Sequence, residues 1–134
     1  PSLFVFCFKP AYLGLQNALS IHNLWEQETN PVVITVNKIR QGIRTVFGNN
    51  VVVRRISGKY FFGFEYMKDG DFYFPVSDIE KTLIDMIYFR QPMDKELLKE
   101  FKNRIDKNKV NKYLKKYSKK IRDKVLEKIK LEGI

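Results

Sequence analysis

The sequence predicts an α+β domain, and three observations carry that reading. A series of short β-branched and aromatic segments, each closed by turn residues, fills the middle of the chain; one amphipathic segment precedes it; lysine-rich segments of helical period follow it. With 134 residues the chain has room for one domain, or for one compact domain with a short extension, and needs no covalent staple. The predicted division is an α+β core over residues 1–92 and a basic helical extension, packed on that core, over residues 93–134.

The chain opens with the apolar run Leu3 to Phe8, which reads as a strand. Pro10 suits a first helical turn, where its missing N–H is harmless. From Ala11 to Asn23, Leu15, Ala18, Leu19 and His22 recur on one side at helical spacing, so this stretch reads as one amphipathic helix. Asn23 tolerates the left-handed conformation that ends many helices, which lets Leu24 and Trp25 fold back on its apolar side.

Strands are expected at Val32 to Val36, Ile43 to Phe47, Val51 to Ile56, Tyr60 to Met67 and Phe72 to Val76. The breaks at Gly48-Asn49-Asn50, Ser57-Gly58 and Lys68-Asp69-Gly70-Asp71 read as hairpin turns. Asp69-Gly70 is the clearest, because glycine supplies positive φ without steric cost. Together these segments predict an antiparallel hairpin sheet.

Ser77-Asp78-Ile79-Glu80 has capping-box spacing, with the Ser77 hydroxyl as cap and Glu80 reaching back to it. The helix it opens carries the stripe Ile79, Leu83, Ile84, Ile87 and Tyr88, suited to packing on the sheet. Pro92 and Asp94 close it and open the next helix, with Leu97, Leu98 and Phe101 inward. Asp106 and Ser118 are the expected caps of two more helices, with Val110, Tyr113, Leu114 and Tyr117 in the first and Ile121, Val125 and Ile129 in the second; Gly133 ends the pattern.

The longest apolar run is six residues against the roughly 20 that cross a bilayer. The single cysteine, Cys7, has no partner for an internal disulfide. Its neighbours Phe6 and Phe8 predict a buried, unreactive thiol in a reducing compartment, so the expected location is the cytoplasm. The chain starts at Pro1 rather than Met, as a fragment with an upstream part removed would.

Catalytic supply is thin. His22 is the only histidine, which excludes histidine-cluster metal chemistry within one chain, and it reads as structural. No CxxC, phosphate loop, GxSxG or GxGxxG occurs. Asp78, Glu80 and Asp85 lie near the start of one helix, where carboxylates hold Mg²⁺ in other proteins. The structural reading is stronger: acids complement a helix N-terminus, Glu80 has a capping role, and Asp85 stands at i, i+4 from Lys81. No catalytic residue, metal site or cofactor is therefore expected.

Charge gives the functional lead. The formal net charge is +10, with ten Lys/Arg against eight Asp/Glu up to residue 93 and fifteen against seven after it. Between Lys107 and Arg122 stand Lys107, Lys109, Lys112, Lys115, Lys116, Lys119, Lys120 and Arg122, with Tyr113 and Tyr117 among them. Such a surface attracts polyanions and neutralises phosphates. A smaller group, Arg40, Arg44, Arg54 and Arg55, falls on the strand region and either extends that surface or decorates a solvated sheet. The two other readings are a protein module docking on an acidic partner and, weaker, a metal-dependent enzyme.

Two segments together resemble the AbiEi-type antitoxins of type IV toxin–antitoxin systems. Tyr12 to Leu24, followed by Trp25-Glu26-Gln27 and the strand from Pro31 to Val36, resembles the family's "Y-I-S-x-x-S-A-L-x-x-H-G-L … Q" element. Val76 to Asp85 resembles its "A-x-P-E-K-T-L-L-D" helix start. The resemblance spans roughly residues 10 to 90, with Asn23 in place of a glycine and Ile79 in place of a proline. It implies a transcriptional regulator that normally carries an N-terminal winged helix, represses its own operon through it, and antagonises a nucleotidyltransferase toxin without a stable complex. No winged helix precedes the first motif here, so the expected partner is operator DNA if one is joined to this domain, and RNA otherwise. The resemblance also makes His22 and Glu80 fold-keeping positions.

Overall fold

The computed structural model describes residues 2–134. Its elements are β1 (Ala11–Leu13), α1 (Leu15–Ile21), β2 (Val32–Thr35), β3 (Gly42–Val46), β4 (Asn49–Arg55), β5 (Phe64–Asp69), β6 (Phe72–Ser77), α2 (Ile79–Tyr88), α3 (Lys95–Arg104), α4 (Lys107–Leu114) and α5 (Lys119–Leu131). The fold is α+β: a helix near the N-terminus, a six-stranded sheet, then a C-terminal run of helices.

The sheet has strand order β3-β4-β2-β1-β6-β5 and is mixed, which corrects the expected antiparallel hairpin sheet. β3–β4 and β5–β6 are antiparallel hairpins, turning at Gly48 and Gly70 with φ of +75° and +61°. β2–β4 and β1–β6 are parallel. The Ser57-Gly58 break is no hairpin; it caps a short 3-10 turn at Gly58–Tyr60, from which the chain crosses to the opposite edge of the sheet. Turn chemistry says where a strand stops and leaves open which strand it pairs with next.

β2 explains why both faces are covered. Val32 and Ile34 join one buried cluster and Val33 the other, as the two-residue period of a strand requires. The first cluster takes in Tyr12, Leu15, Leu19, Leu83, Ile84, Leu97, Phe101, Val110, Leu114, Tyr117 and Val125, so α2 to α5 share one continuous core with the sheet. Each such fully buried Leu or Phe contributes roughly 1.5–3 kcal/mol relative to exposure. The second cluster joins Leu13, Val33, Val53, Phe74 and Val76 to Phe4 and Val5.

That second covering corrects the N-terminal expectation. Ser2–Phe8 is a 3-10 helix, laid across the sheet instead of pairing with it. Its tighter turn brings Phe4 and Val5 inward and leaves Cys7 exposed, so the thiol is not buried as its aromatic neighbours suggested. The expected helix from Ala11 is also shorter: Ala11–Leu13 is a strand between β2 and β6, and α1 starts after Gly14. Gly14 lies against Ile34, whose Cδ1 stands 2.5 Å from where a Cβ would be, so any larger residue there requires the buried Ile34 side chain to shift.

Apart from the start of α1, helix ends follow the predicted chemistry with one exception. Asn23, at φ 56°, ends α1, and the Leu24 N–H returns to the Leu19 carbonyl at 2.8 Å. Asp94, Asp106 and Ser118 cap α3, α4 and α5. The exception is α2: its cap is Asp78, accepting from the Lys81 N–H at 2.8 Å, while Ser77 belongs to β6 and shares a 2.7 Å hydrogen bond with the Thr82 hydroxyl. Among the described residues, no helix is long and apolar enough to cross a membrane.

Candidate nucleic-acid interface

α4 and α5 present lysines outward because their apolar positions are spent inward. Val110, Leu114 and Tyr117 on one helix and its following turn, and Val125 on the next, are buried against the core. The period of 3.6 residues then places Lys107, Lys112, Lys115, Lys116, Lys119 and Lys120 in solvent, with Arg122 half-buried. Asp106 accepts from the Asn108 N–H at 2.9 Å and the Lys109 N–H at 3.3 Å, and Ser118 from the Ile121 N–H at 3.3 Å, so both helices begin on fixed caps.

Lys109 does not belong to this outward set. Its Nζ lies 3.2 Å from Asp78 and 3.4 Å from Glu80 at the start of α2. Burial pulls its ammonium pKa down, but the hydrogen bond to Asp78 and the surrounding carboxylates outweigh that and hold it above the ordinary lysine range. It ties α4 to α2. Lys119 pairs with Asp123 at 3.5 Å, an exposed contact of small energy. Lys116 sits 4.5 Å over the Phe62 ring.

The interleaved tyrosines are likewise committed to the fold rather than offered to bases. Tyr117 is buried, stacked on Tyr60 at 4.4 Å, and accepts from Lys81 Nζ at 2.5 Å. Tyr113 donates to the Asp78 carboxylate. Partial burial, that hydrogen bond and the Asp78 charge push its pKa up to about 12, from an ordinary 10.0. Since the folded value lies above the unfolded one, its contribution to stability is complete below pH 10 and is lost as pH rises through about 12. Tyr113→Phe is accordingly expected to flatten the alkaline loss of stability over that window and to remove one late phenolate transition, read by ultraviolet absorbance.

The arginines occupy a different place, on the β3–β4 hairpin and the segment leading into it. Arg40, Arg44 and Arg55 are exposed, with Arg44 Nη2 donating to the Arg40 carbonyl at 3.1 Å. Arg54 is half-buried, its guanidinium 5.6 Å over the Phe89 ring. They are thus a second cationic group on an edge of the sheet.

The carboxylates considered for a metal all have protein partners. Asp78 caps α2 and receives Tyr113 and Lys109; Glu80 accepts from the Asp106 N–H at 2.9 Å instead of reaching back to Ser77, and so joins α2 to the start of α4. Among the described residues, no group of three or more His, Cys, Asp or Glu is placed to hold a metal ion. His22 Nε2 meets the Ser77 carbonyl at 2.7 Å, a hydrogen bond that ties the end of α1 to β6.

Sequence reasoning missed how deep the Lys81–Asp85 pair lies. Lys81 Nζ is 2.9 Å from Asp85 Oδ1, both side chains fully buried, and the Tyr12 hydroxyl donates to Asp85 Oδ2 at 2.6 Å. Burial pushes the Asp85 carboxyl up and the Lys81 ammonium down, each against its partner's support. The i, i+4 spacing was visible; Tyr12, Tyr117 and the Phe62 ring 4.5 Å from Lys81 Nζ were not. Gly63, at φ +76°, makes room, since a Cβ there would stand 2.8 Å from Lys81 Cβ. The chain matches no protein-family model and no curated protein.

Proposed function

We propose that this chain is an antitoxin-like regulatory domain that binds nucleic acid through phosphate contacts from α4 and α5. The observation that carries this reading is the concentration of cation around the α4–α5 turn: Lys112, Lys115, Lys116 and Lys120 are exposed and, among the described residues, make no ion pair. Lys107, Lys119 and Arg122 flank them, and Arg40, Arg44 and Arg55 form a secondary patch; Lys109 is reserved for α2. With Tyr113 and Tyr117 turned to the core, contacts at this surface are electrostatic and indifferent to sequence. Binding rather than catalysis is the role, and the cytoplasm its place.

The resemblance to AbiEi-type antitoxins is supported by what its motif residues do together. Tyr12 meets Asp85, His22 meets the Ser77 carbonyl, and Asp78, Glu80 and Lys81 organise the start of α2, so the two motifs are two halves of one polar framework. The functional counterpart is a nucleotidyltransferase toxin, opposed without a stable complex. Co-expression with a toxin of that class is expected to relieve its growth arrest; unchanged arrest removes the antitoxin role.

The nucleic-acid reading is tested by titrating a labelled duplex at several salt concentrations. Log affinity is expected to fall linearly with log salt, with slope about −0.9 per phosphate contacted. Capture of an acidic protein that survives nuclease, with no salt-dependent duplex binding, assigns the surface to a protein partner instead.

A further inference from the structure

The β5–β6 end of the sheet holds a feature that the lysine surface does not use. β1 and β6 run parallel but meet in register only at Leu13 and Val76. Before that point they diverge, and a cleft of about 420 Å³ opens between them. Its walls include Phe6, Phe61, Phe64 and the rings of Pro10 and Pro75, with Lys9 and Tyr66 also lining it. Neither proline has an N–H, so two residues at the divergence leave no orphan donor in the cleft.

Beside the cleft the β5–β6 hairpin exposes two tyrosines. Tyr66 stands opposite Pro75 and Tyr73 opposite Lys68, so strand alternation puts Tyr66, Lys68 and Tyr73 on one face. Tyr66 is 66% exposed and Tyr73 59% exposed, so both rings are open to solvent on that face. Tyr66 is held edge-on by Phe64, with ring centroids 6.3 Å apart. Of the hairpin's acids, Glu65 and Asp69 alternate onto the other face and Asp71 lies in the turn, while Lys9 lies 4.5 Å over the Phe6 ring in the cleft wall. Exposed aromatics that offer stacking faces, next to an aromatic cleft and two cations, are what unpaired bases and their phosphates require.

We infer that the β1–β6 cleft and the Tyr66–Tyr73 face bind single-stranded nucleic acid, with one unstacked base in the cleft, neighbouring bases on the tyrosines, and phosphates near Lys9 and Lys68. This rests on the nucleic-acid reading above and gives it a substrate class. The duplex-tolerant lysines supply attraction, and the aromatic face supplies the preference for unpaired strands.

The test compares wild type, Tyr66→Ala/Tyr73→Ala and a variant with Lys112, Lys115, Lys116 and Lys119 of the α4–α5 surface replaced by alanine, by fluorescence anisotropy on a single-stranded RNA, a single-stranded DNA and a duplex of equal length. The double tyrosine variant is expected to lose ten- to hundredfold in single-strand affinity while keeping duplex affinity and salt slope, since no phosphate contact is removed. Loss on RNA, DNA or both supports the site, and a difference between them reports whether the 2′-hydroxyl is read. Unchanged single-strand affinity in that variant overturns it, yet leaves the lysine surface standing if the lysine variant still loses slope on all three probes. As a second readout, 4-thiouridine crosslinks within residues 61–66 support the cleft, and crosslinks confined to α4–α5 overturn it. Both tyrosines are exposed, so an unchanged circular-dichroism melt accompanies the expected result.

Discussion

Asp85→Asn is expected to destabilise the domain by about 3–5 kcal/mol, a large part of the roughly 5–15 kcal/mol that a domain of this kind has. The substitution keeps the shape of the side chain but removes the charge facing Lys81 Nζ at 2.9 Å in a site where neither side chain is exposed. Lys81 then retains the Tyr117 hydroxyl and the Phe62 ring, which do not neutralise it. The ammonium either stays charged and unpaired or gives up its proton, and each course costs folding energy. Denaturant unfolding measures the loss as a shift in midpoint at constant slope.

The sign of the pH dependence follows. In wild type, burial already holds the Lys81 pKa below its ordinary 10.5 against the opposing pull of Asp85. Without the carboxylate it falls further, so in Asp85→Asn the unfolded state binds the extra proton. Stability of the variant is therefore fully present above pH 10.5 and is lost as pH falls through the folded pKa of Lys81, more steeply than in wild type. Replacing both partners, Lys81→Met with Asp85→Leu, is expected to recover most of the loss, because breaking a buried pair is costly while removing it whole often is not. A double variant no more stable than Asp85→Asn would mean that Tyr12 and Tyr117, left without Asp85 and Lys81, carry the cost.

That pair shows which features were legible in the sequence. Local rules gave local structure: capping chemistry located Asp94, Asp106 and Ser118, and the left-handed tolerance of asparagine located Asn23. What depends on distant partners stayed hidden. Leu3 to Phe8 has the composition of a strand, yet the sheet's second face needed a cover more than another neighbour, and the run wound into a 3-10 helix. Ala11–Leu13 lay inside a helical pattern because Leu13 and Tyr12 face opposite clusters, which only the flanking strands reveal. Lys109 looked like one more surface cation until folding brought Asp78 and Glu80 beside it. The tyrosines reversed in the same way: Tyr113 and Tyr117, prominent among lysines, turned inward, while Tyr66 and Tyr73, unremarked in a strand pattern, faced solvent.

Replacing Lys112, Lys115, Lys116 and Lys119 by alanine is expected to cut the salt dependence of duplex binding sharply without unfolding the domain. All four are exposed, alanine is the strongest helix former, and the two contacts forfeited, Lys116 over Phe62 and the exposed Lys119–Asp123 pair, are each worth about 0.5–1 kcal/mol at most. If each lysine contacts one phosphate, the slope of log affinity against log salt falls by about 3.6. Between ~50 and ~200 mM salt the variant then forgoes roughly a hundredfold of the weakening that wild type undergoes, because less counterion is released on binding. Lys109→Ala makes the informative contrast. It removes the same charge, yet it is expected to leave the slope nearly intact and instead lower the melting temperature, since its Nζ is engaged by Asp78 and Glu80. If Lys109→Ala reduces the slope as much per charge as the outward lysines do, attraction comes from net charge alone and the α4–α5 surface is not a site. If the four-lysine variant keeps its slope, the phosphates lie elsewhere, and Arg40, Arg44 and Arg55 at the β3–β4 edge of the sheet become the contacts to remove.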